Sequence, residues 1–168
     1  MWANGEERQW LSAYVADFLT DARDAGATLP GGMLEDLQKR LQQYLRSEMP
    51  LYSYQGDKHY GFATRAYAGL VLARSNKASL ANLRRLQQEM EAQPTEVKSS
   101  LPWAHLGRAL QLSGDNQAAI SLFERANNSS YQAGYYGDYG SALRDQALTF
   151  ALLAAAGRDT AAPLLALF

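Results

Sequence analysis

Apolar residues recur along this chain at the 3.6-residue period of amphipathic helices. Trp10, Leu11, Tyr14, Val15, Phe18 and Ala22 form one continuous face that stops at Gly26, a residue suited to closing a helix. After Pro30-Gly31-Gly32, a second face of Leu34, Leu37, Leu41, Tyr44 and Leu45 repeats until Pro50, which cannot continue a helix. The stretch from Leu51 to His59 carries Gly56 and several polar residues and reads as a loop. Phe62, Ala66, Gly69, Leu70 and Ala73 make a third face, and beyond Asn76-Lys77 a fourth carries Leu80, Leu83, Leu86 and Met90.

Gln93 to Ser100, with Pro94, Thr95 and two serines, reads as a linker in which Ser99 or Ser100 caps a helix from Leu101 to Leu112. Gly114-Asp115 closes that helix and caps the next, Ala118 to Ala126. Asn127 to Gly140, rich in Asn, Ser, Gly and Tyr, is the longest non-helical stretch. Ser141 caps a helix through Ala156, Gly157 ends it, and Asp159 caps a final one. The expectation is four antiparallel helical hairpins turning near Gly26, Asn76, Gly114 and Gly157, at intervals of 50, 38 and 43 residues. Tetratricopeptide units repeat every ~34 residues. One hairpin nevertheless carries that signature in Trp103, Leu106, Gly107, Leu110, Gly114, Ala119, Phe123 and Ala126, which places small residues where its two helices touch.

Composition sharpens the class. With 28 Ala and 25 Leu against 3 Val and 1 Ile, good helix formers dominate and strand formers are nearly missing, so the fold is all-α. The 168 residues have the size of a single domain. A net charge of −1 without a Lys/Arg stripe argues against nucleic acid as a partner. The longest apolar run, Phe150 to Ala156, is far short of the ~20 residues that span a bilayer, so no direct membrane insertion is expected. The polar, acidic start from Met1 to Glu7 does not read as a signal peptide.

Candidate chemistry is sparse. The absence of Cys excludes disulfides, thiolate catalysis and sulfur-ligated metal within the chain. His59 and His105 lie too far apart, with no Cys or His-x-x-x-His, to suggest a metal site, and His105 between Trp103 and Leu106 reads as a packed or surface residue. Gly134, Gly137 and Gly140 resemble a phosphate cradle only superficially, since no strand precedes them and no Lys accompanies them. Tyr131, Tyr135, Tyr136 and Tyr139 could form a sugar-stacking surface, with Asp57 and Asp138 as a carboxylate pair. The reading adopted is that these tyrosines pack over hairpin ends with their hydroxyls in water. Asn127-Asn128-Ser129 and Asn128-Ser129-Ser130 fit the glycosylation pattern, a short match that arises readily in such a loop. No catalytic, cofactor-binding or metal-ligating residue is assigned, and no cofactor is expected.

Three segments carry a family resemblance. Trp10-Leu11-Ser12-Ala13-Tyr14-Val15-Ala16-Asp17-Phe18-Leu19, Ala66-Tyr67-Ala68-Gly69-Leu70-Val71-Leu72-Ala73-Arg74 and Tyr139-Gly140-Ser141-Ala142-Leu143-Arg144-Asp145-Gln146-Ala147-Leu148 resemble, in order, the thioester domain of bacterial alpha-2-macroglobulins. The resemblance runs from about Trp2 to Gly157, and implies that the hairpins form part of an α/α toroid. It implies a scaffold fragment of a broad-spectrum protease inhibitor that captures proteases after bait cleavage, not an enzyme. Target proteases and the other domains of the inhibitor are the implied partners. The implied location is the periplasm, with inner-membrane anchoring as a lipoprotein in many members. The family's thioester joins the Cys and Gln of a Cys-x-Glu-Gln motif, which this chain lacks and which is expected upstream of Met1. Neither histidine matches the family's assisting histidine, so no reactive residue carries over.

Arg144 and Asp145 are expected to fix the Tyr-rich loop against a helix start, with Asp145 favoured there by the helix dipole. Two rival functions are a tetratricopeptide-like adaptor holding a peptide in a groove, and a toroid glycosidase, which needs two carboxylates roughly 5–9.5 Å apart. Eight helices would make an open arc with unpartnered end helices. The carboxyl end, Ala161 to Phe168, closes on an apolar run, so the isolated chain is expected to self-associate through Leu164, Leu165, Leu167 and Phe168.

Overall fold

A computed structural model describes residues 8–47, 58–134, 136–158 and 160. Seven α-helices and no strand occur among them: α1 (Gln9–Asp24), α2 (Met33–Leu45), α3 (His59–Arg74), α4 (Leu80–Ala92), α5 (Leu101–Leu112), α6 (Asn116–Asn127) and α7 (Ala142–Ala155). A 3₁₀ turn, Pro94–Glu96, sits within the expected linker.

The local chemistry that marks the helix ends is visible. The side chains of Ser79, Asp115 and Ser141 accept from the backbone N–H of Asn82, Ala118 and Arg144, each satisfying one donor that a helix start leaves unpaired. Gly26, Asn76, Gly114 and Gly157 all hold left-handed backbone conformations at the expected turns. Ser100 precedes α5 as expected, but its hydroxyl does not cap that helix; it pairs with the Thr149 hydroxyl at 2.9 Å and ties α5 to α7. His59 is no loop residue: it opens α3 and is wholly buried. The final helix at Asp159 and the apolar face of Leu164, Leu165, Leu167 and Phe168 lie outside the described residues, as do Asp57 and Tyr135.

The helices lie in two layers of an α/α-toroid type. The odd-numbered helices follow one another, α1 on α3, α3 on α5 and α5 on α7, while α2, α4 and α6 lie behind as the return arms of the hairpins. Patterning explains the order. In α3 every residue from His59 to Ala73 except Gly61 is buried, and α5 is buried almost as completely, so these two take the centre. By contrast, α2 and α4 bury single stripes, Leu34, Leu37, Leu41 and Leu45 in one and Leu83, Leu86 and Met90 in the other. The α5–α6 contact is close because Gly107 has no side chain: a Cβ there would lie 2.9 Å from the Phe123 ring.

Candidate functional site

Polar chemistry concentrates where the loop between α6 and α7 folds over the start of α3. Asp138, only 2% exposed, stands at its centre. One carboxylate oxygen accepts from the Gly140 N–H at 3.0 Å, and the other lies 3.4 Å from both His59 Nε2 and Arg144 Nη2. Burial alone would raise the Asp138 pKa, but His59, Arg144 and the Gly140 N–H outweigh it and hold the carboxyl below the ordinary value. His59 Nδ1 accepts from the Lys98 N–H at 3.0 Å. With Nδ1 engaged by Lys98, Nε2 is the ring nitrogen that faces Asp138, so His59 ties the loop carboxylate to the segment that precedes α5.

Arg144 and Asp145 do what the sequence suggests. The Arg144 guanidinium donates to the Asp138 carbonyl and, through Nε, to Asp145 Oδ1 at 2.7 Å, while its carbon lies 5.3 Å from the centroid of Trp10. The loop is thus fixed to the first turn of α7 and to α1.

The tyrosines depart from expectation in one respect. Tyr131 and Tyr136 turn their hydroxyls to loop carbonyls, of Gly134 and Gly140 for the first and Gln132 for the second. Tyr136 also sets its ring edge-on against His59, 4.8 Å between centroids. Tyr139 is 55% exposed and rests against Trp10. These rings build the loop's own packing. The glycines serve the same end: a Cβ at Gly134 would meet the Tyr136 hydroxyl at 2.6 Å, so the space beside the backbone is taken by a side chain of the loop. Among the described residues no group of three or more His, Asp or Glu could hold a metal ion.

Beside this cluster, the four odd-numbered helices enclose a groove of about 710 Å³, lined by Trp10, Tyr67, Leu70, His105, Leu112 and Leu148 among others. His105 stacks flat on Tyr67, with 4.7 Å between centroids, and Tyr67 donates its hydroxyl to Asp17 at 2.8 Å. Arg74 pairs with Asp17 and Asp21 at the opposite end of α1 from Trp10. Burial, helped by Arg144 and opposed by Asp138, drives the His105 pKa down to about 3, and burial together with Asp17 raises that of Tyr67. The chain therefore presents a largely apolar groove, closed at one end by a buried polar network.

Comparison with known proteins accounts for this arrangement. No family profile matches the chain. Alpha-2-macroglobulin of Escherichia coli (strain K12) is 38% identical over 155 residues, which is 89% of this chain and 9% of that protein. Alpha-2-macroglobulin of Xylella fastidiosa (strain Temecula1 / ATCC 700964) is 37% identical over 162 residues, 94% of this chain and 10% of that protein. The crystal structure of native Escherichia coli alpha-2-macroglobulin from domain MG7 to the C-terminus superposes with a TM-score of 0.89 at 34% identity, over 98% of this chain and 26% of that one.

This chain is a bacterial alpha-2-macroglobulin homologue.

It spans about a tenth of the length of the alpha-2-macroglobulins it matches. Salmonella alpha-2-macroglobulin reacted with methylamine superposes with a TM-score of 0.87 at 34% identity, and trypsin-activated Escherichia coli alpha-2-macroglobulin with 0.85 at 34%; in each case 98% of this chain and 11% of that one are covered. The helical unit thus has the same form as in native, methylamine-reacted and protease-activated alpha-2-macroglobulins. The sequence pointed to Arg144, Asp145 and the tyrosines as the parts that fix this loop, and to Asp138 only as one of a carboxylate pair; it gave no role to His59 beyond setting aside a metal site, and none to Asp17, Tyr67 or Arg74. Spacing offered a partial signal, since Trp10, Tyr14 and Asp17, and Tyr67, Leu70 and Arg74, fall on single helix faces.

Proposed function

We propose that this chain is a structural segment of an alpha-2-macroglobulin-type protease inhibitor, carrying the wall of an α/α toroid and no reactive group of its own. The carrying observation is that likeness to alpha-2-macroglobulins runs through nearly the whole chain in sequence and in structure. Its close match to native, methylamine-reacted and trypsin-activated relatives alike supports a unit that moves as one body while the rest of the inhibitor rearranges. Bait cleavage, covalent capture and the Cys-x-Glu-Gln thioester then belong to the rest of the polypeptide, because this chain has no Cys. The partners are target proteases, met through the full-length protein, and the inhibitor's other domains. The 168 residues act as a single helical domain within it, in the periplasm, and contribute no membrane anchor to any lipoprotein form of the inhibitor. No helix among the described residues is long and apolar enough to cross a membrane.

The test separates segment from parent. The full-length parent incubated with trypsin is expected to give a covalent complex on a denaturing gel and to lose that capacity after methylamine. The isolated chain is expected to take up no methylamine and to form no covalent complex with trypsin, whatever cleavage trypsin makes at its 16 Lys and Arg residues. A parent that leaves trypsin free, or an adduct on the isolated chain, overturns the proposal.

A further inference from the structure

The two walls of the groove, α1 and α7, rest on different floor helices, α1 on α3 and α7 on α5. At the end where both walls begin, one side chain of α1 takes contacts from the opposite wall and from the loop. The Trp10 ring receives the Arg144 guanidinium at 5.3 Å and the Tyr139 ring at 5.7 Å. Arg144 is in turn committed to the Asp138 carbonyl and to Asp145, and Asp138 to His59 and Gly140. Tyr139 holds φ at +58°, a conformation that costs a bulky L-residue on the order of 1–2 kcal/mol and persists only where neighbours impose it. Yet Tyr139 is more than half exposed, so little burial holds it there. What holds it is its neighbour Asp138 on one side in the chain and the contact with Trp10.

We propose that residues 136–141 are a latch: by gripping Trp10 through Tyr139 and Arg144 they hold α1 to α7, and release of Asp138 frees the loop and the first turns of α1 together. The coupling follows from shared groups. Without its hold on Asp138, Arg144 keeps its pairing with Asp145 but loses its tie to the loop that fixes it over Trp10, and Tyr139 is left with the Trp10 contact alone to hold its left-handed conformation. Trp10 packs on Tyr67 at 5.7 Å, and Tyr67 on His105, so its departure would open the closed end of the groove and uncover that stack. This inference goes beyond the protease-trap reading and does not depend on it.

Hydrogen–deuterium exchange on the 168-residue chain tests it with Asp138→Asn, which removes the charge at constant volume, and Arg144→Lys, which keeps a charge but loses the fork. In both variants amides of 136–141 and of 9–17 are expected to exchange about tenfold faster, while 101–127 keep the parental rate. Faster exchange in the loop with α1 unchanged, in α1 with the loop unchanged, or in neither, overturns the latch. Should either variant also accelerate 101–127, Tyr139→Ser removes the Trp10 contact without touching a buried charge, and the same paired response in 136–141 and 9–17 decides.

Discussion

His105 sits on the groove floor as a neutral ring, and that state has a thermodynamic consequence. An unfolded chain binds a proton at histidine near pH 6.5, whereas folding holds the His105 pKa down to about 3. Between those values the unfolded state carries the extra proton, so acid favours unfolding. His105 leaves stability unaffected above about pH 6.5 and lowers it as the pH falls toward 3, by at most about 1.4 kcal/mol per pH unit. The depressed Asp138 acts in the same sense at lower pH, since its charged form belongs to the folded state. His105→Phe keeps a flat ring against Tyr67 and removes the titration. Thermal melts at pH 7, 6, 5 and 4.5 should show the parent losing stability more steeply than the variant. Equal slopes would mean that His105 titrates in the folded chain as it does in the unfolded one.

At the level of elements, what was legible in the sequence was what is decided locally. Apolar period, capping residues and turn residues are encoded within a few positions, and the expected Leu101–Leu112 helix coincides with α5, as Ser141 coincides with the start of α7. His59 was misplaced because the apolar series of α3 begins in earnest only at Phe62, while the groups that meet His59 lie far along the chain, on Lys98, Tyr136 and Asp138. The groove was equally hidden, since it depends on which four helices become neighbours. The hairpin signature succeeded because it encodes a close approach: Trp103, Leu106, Leu110, Ala119, Phe123 and Ala126 are all buried around the α5–α6 contact. Gly107→Ala tests that contact. Helix propensity alone would favour the substitution by about 1 kcal/mol, but the new methyl group would strike the Phe123 ring and come within 3.3 Å of Leu122 Cβ. Overpacking of this kind costs roughly 1–3 kcal/mol, so the net expectation is a lower urea midpoint at unchanged slope. A midpoint equal to or above the parent's would show that α6 can draw back freely.

Across the whole molecule, α3 and α5 are enclosed by their neighbours, whereas α1 keeps an apolar stripe in solvent: Leu11, Tyr14, Val15 and Phe18 are 41, 52, 38 and 62% exposed. These residues stand at i, i+3, i+4 and i+7, the spacing of a face built to meet another helix. On the proposed reading as a segment of a larger inhibitor, the other domains are what would cover this face, since the chain spans about a tenth of the alpha-2-macroglobulins it matches. Alone, the segment has no such cover. Burying one large apolar side chain contributes roughly 1.5–3 kcal/mol, so four on one stripe can offset part of the entropy lost on association. The isolated chain is therefore expected to self-associate through α1, whereas the carboxyl-terminal face of Leu164, Leu165, Leu167 and Phe168 to which the sequence pointed lies outside the described residues. Light scattering during gel filtration should give a mass that rises with concentration, and Val15→Ser with Phe18→Lys should return it to the monomer without changing the circular dichroism spectrum. A parent that remains monomeric at millimolar concentration would show that the stripe is too small to hold two copies together, and a double variant that still associates would move the contact to another face.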